Sequence, residues 1–159
     1  MFRMSSIENN FMFTVEELRI FAEGYTANDL SMIECSPDDP LANYDFRIAL
    51  SEFVVKHIDS VSVDLIADLY QENAKSSKYT FSVYLNLNVL AQKLLAYDWK
   101  KYLNIYMEGA AVSFDTLLCT GNIRLDKNIA SEIYEYLAQM PEFKSREFFM
   151  ERFKYLMSG

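Results

Sequence analysis

Residues 101–125 read KYLNIYMEGAAVSFDTLLCTGNIRL, and the reading of this stretch decides the fold. An apolar helical run reaches Met107 and Glu108 and breaks at Gly109. The small residues Ala110, Ala111 and Ser113 follow. A second run then carries Val112, Phe114, Leu117, Leu118 and Ile123 with almost no charge. A helix that is apolar on nearly every side belongs inside a domain. Small residues at its start let a neighbouring backbone, or a bound helix, come close. The stretch predicts a buried central helix over residues 112–124 with other helices wrapped around it. On spacing alone it is the core helix of an all-α domain.

Working outward, the chain of 159 residues suits one globular domain with a sizeable core. Apolar residues make up 51% and aromatic residues 15%, an excess that can fill a core or line an exposed face. The net charge of −8 is ill suited to neutralising phosphates, so neither nucleic acid nor an anionic membrane surface is an expected partner. A basic or amphipathic partner suits it better. Cys35 and Cys119 are too few and too far apart for a disulfide framework, so a reducing compartment is the simpler assumption. The N-terminal MFRMSSIENNFMF lacks the apolar core of a signal peptide, and no window approaches the roughly 20 apolar residues of a membrane span. The expectation is a soluble chain with no transmembrane anchor.

Residues 1–12 read as frayed. Thr14-Val-Glu-Glu17 is a capping box with Phe13 and Leu18 at the staple positions, which starts a short helix to about Ala22 that Gly24 stops. Ser31–Asn43, with Pro37, Asp38, Asp39 and Pro40, reads as a loop. Residues 1–43 are therefore expected to form an N-terminal extension, with one short helix and a Pro/Asp loop, on a helical domain over 44–159. That domain begins with an amphipathic helix, Tyr44–Ile58, whose Phe46, Leu50, Phe53, Val54 and Ile58 share a face. Val63–Asn73 follows as a short helix, and Ala74–Lys78 reads as a polar turn. Thr80 then caps a helix through Leu95, although Tyr79–Tyr84 taken alone has strand character. Asp98 caps Trp99–Glu108. Beyond the central helix, Asp126 caps Lys127–Gln139, Pro141 ends it, and a last helix spans about 143–157. Eight helices with short links make a compact all-α bundle.

Catalytic signatures are sparse. The sequence has no P-loop, GxGxxG, HExxH, CxxC or GxSxG motif. Its one histidine, His57, has no Cys, Asp or Glu cluster at metal spacing, so neither a metal nor a cofactor is expected. The pattern points to a binding module rather than an enzyme. A helical bundle with an apolar groove binds amphipathic partner helices through anchors at i, i+3/i+4 and i+7.

The stretch YLNIYMEGAAVSFDTLLCTGNI resembles the first homology motif of the Bcl-2 apoptosis-regulator family. In that motif an apolar helix ends in an acidic residue and Gly, and Asn-Trp-Gly-Arg then opens the buried central helix. Ile105-Tyr106 and Glu108-Gly109 fit the apolar pair and the acidic-Gly pair. Gly121 lies close to the family's later glycines, Ser51–Val55 resembles the start of its first helix, and Asp126–Met140 looks like its sixth. Pro141-Glu142-Phe143, with Phe148, Phe149 and Phe153, looks like its second motif. The departures are specific. Ala111, Val112, Ser113 and Phe114 stand where the family has Asn-Trp-Gly-Arg, so Phe114 replaces the arginine that pairs with an aspartate of a bound BH-3 helix. That loss is worth ~1.5–3 kcal/mol in a partly desolvated groove. The family's C-terminal membrane tail has no counterpart. Divergence of this kind resembles members carried by large DNA viruses, iridoviruses among them.

The resemblance implies an anti-apoptotic viral protein in the host cytoplasm, acting at the mitochondrial outer membrane. It would sequester, with narrow specificity, the amphipathic BH-3 helix of pro-apoptotic proteins such as Bim. By position it implies a ligand groove walled by Leu65, Leu69, Leu87 and Leu90, in which Lys101, Asn104, Ile105, Gly109, Ser113, Phe114 and Leu117 face the ligand. Ile105 and Leu117 read equally well as core, and Gly109 as a helix stop. Gly109→Glu or Ser113→Arg is expected to abolish binding without unfolding the protein. Because an open apolar groove tends to be covered, a homodimer is a further expectation. Three alternatives stand beside this reading. One is a Bcl-2-like fold that binds another host signalling protein through a different face. Another is an unrelated all-α interaction or immunity protein. The last is an enzyme, which would need a pocket uniting His57 with carboxylates.

Overall fold

The computed structural model describes residues 12–159. The expectation of a frayed N-terminus lies, apart from Met12, outside the described residues. These residues form α1 (Val15–Gly24), a 3-10 helix (Ala27–Met32), α2 (Tyr44–Lys56), α3 (Val63–Thr80) and α4 (Leu87–Ala110). They continue with α5 (Phe114–Thr120), α6 (Lys127–Ala138) and α7 (Arg146–Ser158). The protein is an all-α bundle, and the described residues contain no strand beyond one isolated bridge between Ser36 and Asp39.

Of the expected caps, Thr14, Asp98 and Asp126 act as their chemistry requires, whereas Thr80 starts no helix: it is the last residue of α3, its hydroxyl donates to the Ser76 carbonyl, and α4 begins at Leu87. The Thr14 hydroxyl accepts from the Glu17 amide while the Glu17 carboxylate accepts from the Thr14 amide. The Asp126 carboxylate accepts from the Asn128 amide at 2.8 Å and opens α6. Asp98 has extended backbone (φ −162°, ψ 80°) inside α4, and its carboxylate accepts from the Lys101 amide at 3.3 Å. It thus caps the second of two helical segments that meet at a kink there.

The spine of the bundle is the α3–α4 pair, with α6 and α7 packed together beside it. Tyr70 donates to the Tyr106 carbonyl at 2.7 Å. The Tyr106 ring meets Phe149 and Phe153 edge-on, with centroids 5.8 and 6.2 Å away. All four rings are fully buried, and full burial of one large apolar side chain contributes about 1.5–3 kcal/mol.

Two expectations are corrected here. Ala74–Lys78 is not a turn, because α3 runs on to Thr80. Ala74, Ser76 and Ser77 are buried, and the Ser77 hydroxyl donates back to the Ala74 carbonyl at 2.7 Å, so these small residues face inward. The expected buried helix over 112–124 is a seven-residue helix at the edge of the bundle. The Ser113 hydroxyl accepts from the Thr116 amide at 3.1 Å and restarts the helix there, and the chain leaves helical geometry after Gly121. The stretch over residues 12–43 packs on the same core as the helices that follow it. Leu18, Ala22 and Ile33 belong to the common core, and Phe46 of α2 packs edge-on against Phe13 and Phe21. Side chains of the body also bind the 25–35 backbone and its one tyrosine. Arg47 donates to the Ile33 carbonyl at 3.1 Å, Glu72 accepts from the Cys35 amide at 2.9 Å, and Asp68 accepts from the Tyr25 hydroxyl at 2.7 Å.

Candidate interaction face

Helix α5 is amphipathic in the reverse of the usual sense. Thr116 and Thr120, one turn apart, are its fully buried positions. Their hydroxyls need partners there and have them. Thr116 donates to the Ala110 carbonyl at 2.9 Å, and Thr120 to the Thr116 carbonyl at 2.7 Å. Phe114 and Leu118, also one turn apart, are 72% and 54% exposed.

The neighbouring segment extends this apolar surface. The Ser113 and Ser77 hydroxyls meet at 3.0 Å, and the Cys119 thiol lies 3.8 and 3.7 Å from the Tyr84 and Leu85 carbonyls. Helix α5 therefore runs alongside the end of α3 and the link to α4. That link opens with Phe81 in the left-handed region (φ 55°), a conformation disfavoured for a bulky residue. Phe81 is 90% exposed and Leu85 is 81% exposed. Four large apolar side chains on two adjoining segments are thus left to solvent, whereas single scattered ones would need no explanation. Burial raises the Cys119 thiol above its ordinary range, so it behaves as a small neutral packing group.

The residues expected to form a groove are distributed differently. Leu65, Leu69, Leu87 and Leu90, expected as groove walls, have no exposed surface and lie in the α3–α4 core. Gly109 is buried as well. A Cβ there would sit 2.4 Å from Cε2 of Tyr70, so the residue serves close helix packing, and Gly109→Glu would break the core. Lys101 and Asn104 are exposed on α4, and Ile105 and Leu117 are half-buried. Asn104 lies where a cleft of about 430 Å³, walled by Met107, Val112, Met140 and Phe143, adjoins a smaller one beside Trp99 and Tyr136. Of the predicted set, only Ser113, Phe114 and Leu117 belong to the α5 edge. Phe81 and Leu85 escaped the sequence reading, because a segment with alternating apolar and polar residues reads as an ordinary strand or helix start. The detectable signal was the Thr116/Thr120 pair opposite Phe114/Leu118.

His57 shares a cleft of about 340 Å³ with Arg19, Glu23, Ser60 and Ser62, where Glu23 is the single carboxylate lining it. Each polar group there has a local structural role. His57 Nδ1 lies 2.9 Å from the Phe53 carbonyl and Glu23 lies 3.8 Å from Arg19. Ser60 donates to the His57 carbonyl, and Ser62 caps α3. Among the described residues no group of three or more His, Cys, Asp or Glu could hold a metal ion, and no helix is long and apolar enough to cross a membrane.

Comparison with protein-family models, curated proteins and solved structures finds no match.

Proposed function

We propose that this protein is a non-enzymatic interaction module that captures an amphipathic helix of another protein on the α5 edge. The observation that carries this reading is the exposure of Phe81, Leu85, Phe114 and Leu118 on adjoining segments. An amphipathic helix offers a complementary stripe of anchors spaced three and four residues apart. Each anchor buried there contributes roughly 1.5–3 kcal/mol before the cost of ordering the peptide. The resemblance around Glu108-Gly109 makes BH-3 helices of pro-apoptotic proteins such as Bim the first partners to try, with anti-apoptotic sequestration as the outcome. Titration calorimetry with a panel of such peptides tests this. Sub-micromolar, one-to-one binding to at least one peptide supports capture. No binding to any of them, by folded and monomeric protein, removes BH-3 capture.

A second reading is favoured by the burial of Leu65, Leu69, Leu87 and Leu90. With those four side chains in the core, the partner is a different host signalling protein that docks on the same edge. Binding of such a partner that is lost on Phe114→Ser, together with silence toward the BH-3 panel, supports it. A second copy of the chain would instead show as concentration-dependent dimerisation in sedimentation.

A further inference from the structure

We propose that the cleft between the α5–α6 link and α7 binds a small organic anion, a carboxylate or phosphate head on an apolar or aromatic body. This site is separate from the α5 edge, and the proposal does not rest on the interaction reading. The cleft has a volume of about 580 Å³, within the roughly 300–1,000 Å³ typical of small-molecule sites. Arg124 and Arg152 both line it. The chain has 23 acidic residues against 15 basic ones, yet among the described residues neither guanidinium has a carboxylate within 4.0 Å. The Arg152 Nε is buried and has no protein acceptor. Such a donor costs about 1–3 kcal/mol unless something accepts from it.

Arg152 lies beside Gly121 and Tyr155. Its Nη2 lies 3.3 Å from where a Cβ of Gly121 would stand, and its Cζ is 5.9 Å from the centroid of the Tyr155 ring. A Cβ at 121 would require the guanidinium to give by a few tenths of an ångström, so Gly121 leaves room for it. The planar guanidinium presents parallel N–H groups that match the two oxygens of a carboxylate or phosphate. Ile123 and Phe148 supply apolar wall for the body of the ligand. Glu151 also lines the cleft and reduces its net charge to about +1, which favours one small anionic head and disfavours a polyanion.

The test is a titration of the full chain with phenyl phosphate, benzoate and inorganic phosphate, followed through the arginine Nε–H signals in NMR. The expected result is a saturable shift of the Arg152 Nε–H with phenyl phosphate or benzoate, at least about tenfold tighter than with inorganic phosphate. Which aromatic anion binds tighter identifies the head group. Arg124→Gln, at an exposed position, and Arg152→Lys are each expected to weaken binding about tenfold, with Arg19→Gln as an unaffected control. Absence of a saturable shift below about 10 mM for all three probes would overturn the proposal. Equal affinity in wild type, Arg124→Gln and Arg152→Lys would do the same.

Discussion

At the scale of single residues, two glycines in helices have opposite roles. Gly109 is buried, and a methyl group there would overlap the Tyr70 ring whose hydroxyl bonds the Tyr106 carbonyl. Gly109→Ala is expected to lower stability by about 1–3 kcal/mol in urea unfolding. Gly24 ends α1 with nothing within 4 Å of an added Cβ and without a positive φ. Gly24→Ala is expected to leave stability unchanged or raise it by up to ~1 kcal/mol, because it restricts mainly the unfolded chain. If the two substitutions cost the same, the packing account of Gly109 is wrong. Arg47 is a third case. It is fully buried, only its Nη1 is bonded, and burial lowers its pKa from the ordinary arginine value. Replacing a buried charge with an apolar side chain of similar length is often neutral or stabilising. Arg47→Met is therefore expected to stay within about 1 kcal/mol of wild type in the same assay, whereas loss of several kcal/mol would show that the Ile33 contact dominates.

At the scale of elements, α5 depends on the residue that caps it, Ser113. A seven-residue helix is too short to persist on propensity, so capping and side-chain contacts hold it. Ser113→Ala removes both the cap and the bond to Ser77, and is expected to cost about 1 kcal/mol. Hydrogen exchange should then quicken at α5 amides before it quickens in α3. Uniform quickening across the bundle would contradict the local account. The helix also shows what was legible in the sequence. Thr14, Asp98 and Asp126 marked helix starts correctly because a cap is a local interaction between residues two or three apart. The Ser113–Thr116 pair marks a start by the same chemistry, but the apolar run around it suggested a single long buried helix. Whether Phe114 faces inward depends on where the Ser77 end of α3 lies, and that is set by tertiary packing. For the same reason Ala74–Lys78 reads as a turn: the inward direction of Ala74, Ser76 and Ser77 becomes visible only once α5 is in place. The fold class was thus readable, while the facing of the site residues was not.

At the scale of the whole molecule, buried hydroxyls tie stability to alkaline pH. Burial raises the Tyr70, Tyr84 and Tyr106 hydroxyls above the ordinary tyrosine value of 10.0. In the unfolded chain they release protons near the ordinary value, and in the native state they keep them. Stability is therefore fully present below about pH 10 and declines as pH rises above it. Thermal melts should show a midpoint that falls steadily beyond that point, and a flat midpoint through about pH 11 would contradict the burial of these rings. On the solvent side, Phe114 and Leu118 contribute little to the fold. The double substitution Phe114→Ser/Leu118→Ser should shift unfolding by no more than about 0.5 kcal/mol per site. Calorimetric titration of wild type and this double variant with the same panel of amphipathic helical peptides is the most direct test of the α5 edge. The account predicts sub-micromolar, one-to-one binding of at least one peptide to wild type, and at least about tenfold weaker binding to an equally stable variant. Equal binding to both proteins, or no binding to folded monomeric wild type, would contradict it.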